Sequence, residues 1–135
     1  MKMKRRVLLG IGVLTVGALF FTGCSSNGGS ITSMDAHKFS AKTQEAGVIT
    51  LDVRTPDEFS QGHIAGAMNI DVEAATFIGK VSKLDKNKSY AVYCHSDRRS
   101  AIATEQMKKL GFQHLFNLEN GISDWMAQGM GVVTS

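Results

Sequence analysis

The 135-residue sequence contains only two cysteines, Cys24 and Cys94. This number allows no disulfide framework, and their separation does not match the spacing of a metal site, so we predict neither a metal nor another cofactor. Because Cys24 lies in a segment that we assign to lipid attachment below, Cys94 has no disulfide partner. A lone thiol of this kind is either reactive or merely tolerated. The sequence also contains no internal repeat, which excludes a repeat array.

A long hydrophobic run is missing as well. Residues 7–21 carry no charge, but these 15 residues are fewer than the ~18 that indicate a spanning helix, and three glycines interrupt them. The preceding residues 1–6 include four Lys and Arg. A basic start followed by a short apolar run is typical of a secretory signal, and a retained membrane anchor is the alternative.

The residues that follow this run indicate the kind of signal. Ordinary cleavage before Cys24 would require a small residue at Phe21, whereas Gly23-Cys24 resembles the junction of a bacterial lipobox. We therefore predict a lipoprotein signal peptide over residues 1–23, lipid on Cys24, a flexible Ser/Gly-rich linker over residues 24–30 and one domain over residues 31–135. The protein would be exported and lipid-anchored to a bacterial membrane, facing the periplasm or the outside.

The chain has little net charge once the signal is removed. Residues 1–6 hold four basic and no acidic residues, so their loss takes the formal net charge from +3 to −1. The basic character therefore belongs to the signal peptide. It provides no evidence for nucleic-acid binding.

The remaining residues alternate between strand and helix patterns. Val48 to Val53 is an unbroken apolar and β-branched run, as expected for a strand covered on both faces. Pro56 marks a helix start, and Ser33 or Asp35 caps an earlier helix. Strands are predicted at 48–53, 67–70, 90–93 and 112–118, with helices at 36–42, 56–62, 77–84, 99–110 and 122–128. This order predicts an α/β fold with a parallel sheet, helices on both faces and a site beyond the carboxyl ends of the strands.

Cys94 lies at such a strand end. It follows the apolar run Tyr90–Tyr93 and precedes the predicted helix. Backbone N–H groups and the helix dipole favour an anion at this place, and His95, Arg98 and Arg99 add positive charge. The pattern therefore predicts a reactive thiolate, whereas a small buried hydrophobic side chain is the alternative.

Three segments carry a resemblance to a known family. The run Cys94-His95-Ser96-Asp97-Arg98-Arg99-Ser100 resembles the active-site loop of single-domain rhodaneses, Cys-x-Ser-Gly-x-Arg-Ser. Leu51–Phe59 with Gly62–Ile70 resembles the family's first signature, and Asn117–Ile122 with Trp125 and Gly129 resembles its last. The chain departs from the pattern at Asp97 and Asn120, which replace glycines.

The resemblance implies a rhodanese-like fold and a thiosulfate sulfurtransferase. Cys94 would take a sulfane sulfur from thiosulfate or a related donor as a persulfide and pass it to a thiol or to cyanide, with ping-pong kinetics. It further implies that the loop binds the donor through His95, Ser96, Asp97, Arg98 and Arg99, and that Asp52, Arg54 and Ser100 support the loop. Asp52 is a possible partner of Arg99. We expect the Asp97 carboxylate to repel a dianionic donor unless Arg98 neutralises it.

Two other functions remain open. A cysteine phosphatase of the same fold would have a loop one residue longer, whereas four residues separate Cys94 from Arg99 here. A non-enzymatic sulfur carrier or docking module would also keep Cys94. We expect a monomer that binds a small anionic sulfur donor.

Overall fold

Five strands and five helices alternate along residues 28–134, the part of the chain that the computed structural model describes. The predicted signal peptide, Cys24 and most of the predicted linker lie outside these residues. The elements are β1 (Ser30–Met34), α1 (Ala36–Thr43), β2 (Val48–Asp52), α2 (Pro56–Gln61), β3 (Met68–Asn69), α3 (Phe77–Val81), β4 (Ser89–Tyr93), α4 (Arg98–Lys109), β5 (His114–Leu118) and α5 (Gly121–Ala127). None of the helices in residues 28–134 combines the length and the apolar character needed to cross a bilayer.

The five strands form one sheet in the order β1-β5-β4-β2-β3, and every neighbouring pair is parallel. This confirms the predicted parallel α/β class. The chain leaves β2 towards β3 at one edge and leaves β4 towards β5 on the other side. A crevice for ligands therefore opens between the carboxyl ends of β2 and β4.

The sheet buries apolar side chains on both faces, as alternation along the central strand requires. Tyr90 and Val92 of β4 pack with α3 and α4 residues such as Val81 and Met107. Ala91 and Tyr93 point to the opposite face, where they join α1 and α5 residues that include Phe39, Ile122 and Trp125. The predicted covering of both faces by helices is confirmed.

The first strand was not predicted. β1 begins at Ser30 and pairs with β5 along its whole length, although Ser30 falls in the predicted linker. The preceding Gly29 is buried, and a Cβ there would overlap the carbonyl oxygen of Phe112. The folded domain therefore begins before residue 31, where it was predicted to begin, because Ser30 belongs to the edge strand of the sheet.

Local capping signals correctly located two helix starts. The Asp35 carboxylate accepts a hydrogen bond from the Lys38 N–H and caps α1. Thr55 and Glu58 form a capping box at α2, with Pro56 at the first helical position. The capping box fixes the start of α2 shortly after the end of β2.

The C-terminal tail, residues 129–134, returns across the molecule after α5. Val133 and His63 exchange two backbone hydrogen bonds of 2.8 and 2.9 Å in an antiparallel bridge. The Trp125 indole N–H donates to the Gly131 carbonyl at 3.0 Å. The tail is thus fixed beside the turn that follows α2.

Candidate active site

The Cys94 loop, residues 94–97, connects β4 to α4 at the carboxyl edge of the sheet. Cys94 is a free cysteine with 1% of its surface exposed. The end of β2, which pairs with β4, brings Asp52 and Arg54 to the same edge. The loop therefore lies at the crevice that the strand order creates, and Cys94 is almost fully buried there.

Two polar groups of the described residues contact the sulfur. The Asp97 backbone N–H donates to Cys94 Sγ at 3.1 Å, and Ser100 Oγ lies 3.4 Å from the same atom. The Ser100 hydroxyl donates to the Asp97 carbonyl at 2.9 Å, so the thiol proton is directed at Ser100 Oγ. When Cys94 loses its proton, Ser100 Oγ no longer accepts a hydrogen bond from the sulfur. The Ser100 hydroxyl could then rotate and donate to the thiolate.

Asp97 adopts a backbone conformation that favours glycine. Its φ is 126°, which explains why the family pattern has glycine at this position. The carboxylate Oδ1 accepts a hydrogen bond of 2.7 Å from the side-chain amide of Asn117, at the end of β5. Asp97 therefore does not pair with Arg98, and its charge is held by a buried amide. The sequence places Asn117 in the family's last signature but indicates no role for it in the site.

Arg99 is not free to act as a donor-binding cation. Its guanidinium donates to both carboxylate oxygens of Glu58 at 2.7 and 2.8 Å, and Glu73 lies 3.8 Å away. The predicted pairing with Asp52 is wrong. The bonds from Arg99, opposed by partial burial, lower the pKa of Glu58 to about 2. The same Glu58 oxygen that accepts from the Thr55 backbone N–H in the capping box of α2 also accepts from Arg99.

Asp52 pairs with Arg54 instead. The Asp52 carboxylate is fully buried and accepts from the Arg54 backbone and guanidinium at 2.7 to 3.1 Å. The guanidinium also donates to the Gly62 carbonyl at 2.7 Å, and the Asn69 amide donates to the Asp52 and Arg54 carbonyls. This buried pair thus joins β2 to the turn at Gly62 and to β3, and it does not contact Arg99.

The start of α5 holds the other side of the Cys94 loop. The Cys94 carbonyl accepts from the Ile122 N–H at 2.9 Å, and the His95 carbonyl accepts from the Ser123 N–H at 3.1 Å. A Cβ at Gly121 would overlap the His95 backbone, which requires glycine there. The preceding Asn120 is left-handed with φ of 60°, a conformation that asparagine tolerates.

A cleft of about 320 Å³ borders the loop at His95. One wall is apolar and consists of Ile122, Met126 and Val132; the other consists of the polar groups of Arg54, Glu58, Gln61 and the Gly62 turn. His95 and Ser96 are exposed at the loop tip, as is Arg98 at the first position of α4. Nothing in the sequence pattern indicated the contribution of Met126 or Val132.

The charges at the site are mostly compensated. Arg54 and Arg99 both face carboxylates, whereas Arg98 makes no ion pair with any residue of the described range. Residues 28–134 also contain no group of three His, Cys, Asp or Glu side chains that could hold a metal ion. The arrangement offers one sulfur nucleophile, a backbone donor to that sulfur and one exposed guanidinium at the mouth of the loop.

Comparisons with known proteins agree with this geometry. Residues 35–128 match the family model described as Rhodanese-like domain. A putative sulfur carrier protein, YrkF of Bacillus subtilis, is 34% identical over 75% of this chain and 54% of its own length. The thiosulfate sulfurtransferase PspE of Escherichia coli is 34% identical over 55% of this chain and 70% of its own length.

A solved structure gives the same result for the fold. The crystal structure of a rhodanese-related protein from Thermoplasma volcanium superposes with a TM-score of 0.69 and 33% identity. It covers 77% of this chain and 99% of the other. The chain spans about half the length of the Bacillus relative, so the match concerns the domain. With the loop, the sheet order and the matched residues in agreement, the chain belongs to the rhodanese-like domain family.

Proposed function

We propose that this protein is a thiosulfate sulfurtransferase that works through a persulfide on Cys94. The observation that carries the proposal is the position of the Cys94 sulfur in the loop between β4 and α4, where it accepts a hydrogen bond from the Asp97 N–H. A backbone donor at 3.1 Å favours negative charge on the sulfur. The relative named thiosulfate sulfurtransferase supports the same reaction.

The reaction has two half-steps. The Cys94 thiolate attacks the sulfane sulfur of thiosulfate, the donor's S–S bond breaks, and its electron pair leaves with sulfite. The outer sulfur of the Cys94 persulfide is then attacked by cyanide or a thiolate, and the electron pair of the second broken S–S bond returns to Cys94. Splitting the transfer through a covalent intermediate gives ping-pong kinetics.

The neighbouring groups have distinct parts in this scheme. The Asp97 N–H and the rotating Ser100 hydroxyl stabilise charge on the sulfur. The exposed Arg98 guanidinium attracts the sulfonate oxygens of the donor, since Arg99 is occupied by Glu58. Arg99 and Glu58 instead fix α4 to α2 and so keep the loop in shape.

A sulfur-carrier role is the second candidate, because one relative bears the name of a putative sulfur carrier. A carrier needs the same persulfide but hands it to a protein partner. We also propose that Cys24 carries lipid and that the protein works at the outer side of a bacterial membrane. The basic start, the short apolar run and the Gly23-Cys24 junction support that placement.

The test is a thiosulfate:cyanide assay with purified full-length protein in detergent. Cys94→Ser should abolish thiocyanate formation while the circular dichroism spectrum stays unchanged. Cys24→Ser is the matched control, since it removes the other thiol and should retain activity. Full activity in Cys94→Ser would overturn the proposal. Hydrolysis of p-nitrophenyl phosphate without sulfur transfer would favour the phosphatase instead.

A further inference from the structure

The edge of the sheet opposite the Cys94 loop carries most of the lysines of the domain. Because all neighbouring strands are parallel, their amino ends lie together at this edge. The end of α3 leads into β4 here, and the end of α4 leads into β5. These two segments carry the six lysines that we call the lysine edge: Lys80, Lys83, Lys86, Lys88, Lys108 and Lys109.

Backbone and side-chain contacts join the two segments of the lysine edge. The Gln113 N–H, shortly after α4, donates to the Lys86 carbonyl at 3.1 Å. The Lys86 side chain also lies beside Gly111, where a Cβ would be 3.7 Å from its Cδ. The lysines before β4 and those at the end of α4 therefore belong to one surface.

The charge of the lysine edge is largely uncompensated. None of its six lysines makes an ion pair with a residue of the range 28–134. Only two acidic residues, Asp85 and Glu105, lie in the same segments, so four positive charges remain.

The opposite edge of the sheet is acidic. Outside the lysine edge, residues 28–134 contain ten acidic and five basic residues, which leaves a net charge of −5. Most of these acidic residues follow the carboxyl end of a strand, as Asp35, Asp71 and Glu119 do. The charge of the domain is therefore separated along the strand direction.

The described chain enters the fold at the lysine edge. Gly29 is buried, and its backbone lies against the Phe112 carbonyl. The Ser30 N–H donates to the Gln113 carbonyl at 2.9 Å, and Gln113 is the residue whose N–H donates to Lys86. The start of β1 is thus fixed next to the lysines.

The predicted lipid on Cys24 lies only a short stretch of chain away. Four residues separate Cys24 from the buried Gly29. Even at full extension this stretch spans no more than about 18 Å, at ~3.6 Å per residue. The five-residue strands place the Cys94 loop roughly 16 Å farther from the lipid than the lysine edge.

We propose that the lysine edge rests on an anionic phospholipid surface and that the Cys94 loop faces away from it. This inference rests on the proposed lipid on Cys24. Lysines close to anionic headgroups are attracted over about one Debye length, whereas the acidic edge is repelled. The sulfur donor and acceptor then reach the Cys94 loop from the aqueous side.

The experiment measures the acetylation rate of each lysine on membrane-bound protein. The full-length chain is expressed in a bacterium, extracted in non-ionic detergent and inserted into preformed vesicles. The vesicles consist of phosphatidylcholine alone or with about 30% phosphatidylglycerol. An uncharged acetylating reagent and mass spectrometry give the rate at each position, and intact mass reports the lipid on Cys24.

The lysine edge should react about fivefold more slowly in the anionic vesicles than in the neutral ones, since an anionic surface favours each nearby lysine by about this factor. Lys38 is the internal control, because it follows β1 at the acidic edge and its side chain is 76% exposed. Its rate should be the same in both kinds of vesicle. About 0.5 M NaCl should remove the slowing at the lysine edge.

Two variants with the same change in net charge locate the effect. Lys83→Gln with Lys88→Gln removes two positive charges from exposed side chains of the lysine edge, so the slowing at its other four lysines should fall to about twofold. Lys38→Glu changes the net charge by the same amount at the acidic edge. It should leave the fivefold slowing unchanged.

The outcomes separate the orientation from the anchor. Lipid on Cys24 with equal lysine rates in both kinds of vesicle, or with Lys38 slowed as much as the lysine edge, would overturn the orientation alone. Equal rates that fall as the protein density rises would assign the lysine edge to a second copy of the chain. A mature protein without lipid on Cys24 would overturn the anchor and this orientation with it.

Discussion

At the residue scale, the site depends on how this chain accommodates Asp97. A non-glycine residue at φ of 126° costs on the order of 1–3 kcal/mol in conformational strain, so it keeps this conformation only where its surroundings hold it. The hydrogen bond from Asn117 supplies such a hold, and it keeps the Asp97 N–H directed at the sulfur. Asp97 and Asn117 therefore act as one unit that replaces the usual glycine.

This coupling predicts a non-additive pair of substitutions. Asn117→Ala should lower kcat/KM for thiosulfate about tenfold in the native background, since the strained loop loses its anchor. The same substitution should have little effect in an Asp97→Gly background, where glycine adopts the conformation without support. A double-mutant cycle in kcat/KM, with urea unfolding in parallel, measures the coupling. Equal effects of Asn117→Ala in both backgrounds would contradict this role.

The Arg99–Glu58 pair predicts a pH-dependent contribution to stability. The pKa of Glu58 is about 2 in the folded state against an ordinary value of 4.5, so the pair stabilises the fold above pH 4.5. Its contribution falls as the pH drops from 4.5 towards 2 and the carboxylate is protonated. Allowing for the partial exposure of both side chains, Glu58→Gln should cost about 1 kcal/mol at pH 7.

Urea unfolding of Glu58→Gln and the wild type between pH 7 and pH 3 checks this. The difference in unfolding free energy between the two proteins should become smaller as the pH falls. Glu73→Gln is the control, because the Glu73 carboxylate lies 3.8 Å from Arg99 and is 63% exposed, so its loss should cost almost nothing. If the difference in unfolding free energy between Glu58→Gln and the wild type grows in acid, the Arg99–Glu58 ion pair is not the cause of the lost stability.

At the element scale, the reactive loop is held between α4 and α5. The carbonyls of Cys94 and His95 both accept from the first turn of α5, and Gly121 permits this close approach. Because α5 also carries Met126 into the cleft, its position sets the shape of the loop and of the cleft together.

Gly121→Ala should therefore be one of the most damaging small substitutions. The added Cβ must displace the His95 backbone, so we expect a loss of about 2–4 kcal/mol in unfolding free energy and at least a tenfold loss in kcat/KM. Gly47→Ala is the matched control, since Gly47 also has a positive φ but has nothing within 4 Å of a Cβ. It should cost about 1 kcal/mol and leave activity intact. Equal losses of unfolding free energy and of kcat/KM in the two variants would contradict the close contact between Gly121 and the His95 backbone.

The sequence predicts most of the helices and strands, but it does not predict the side-chain contacts between them. The alternation of strands and helices, the covering of both sheet faces and the place of Cys94 follow from local apolar runs and caps. The Arg99–Glu58 and Asp97–Asn117 contacts do not follow, because each joins residues that lie far apart along the chain. β1 was missed because a short edge strand of polar residues has the same composition as a tether.

At the scale of the whole molecule, the sequence predicts a signal, a short tether and one domain. The cleft wall at Val132 shows that the folded part of the chain extends beyond the family match at residue 128. The prediction of a lipid anchor stands on Cys24 and the residues before it. Those residues lie outside the described range, so this prediction depends on the sequence alone.

The anchor prediction is tested by expressing the precursor in a bacterium. Cys24→Ala should block lipid attachment and processing, which metabolic labelling with palmitate and membrane fractionation would detect, because the lipid needs the Cys24 thiol. Cys94→Ala is the control and should be processed normally. Normal processing of Cys24→Ala would indicate an ordinary signal peptide.

The central claim is that Cys94 carries the transferred sulfur as a persulfide. The most direct measurement is the intact mass of the protein after incubation with thiosulfate and removal of excess donor. The wild type should gain the mass of one sulfur atom, located on the Cys94 peptide and lost on addition of cyanide. Cys94→Ser should gain nothing. No added sulfur in the wild type, or the same gain in Cys94→Ser, would contradict the mechanism.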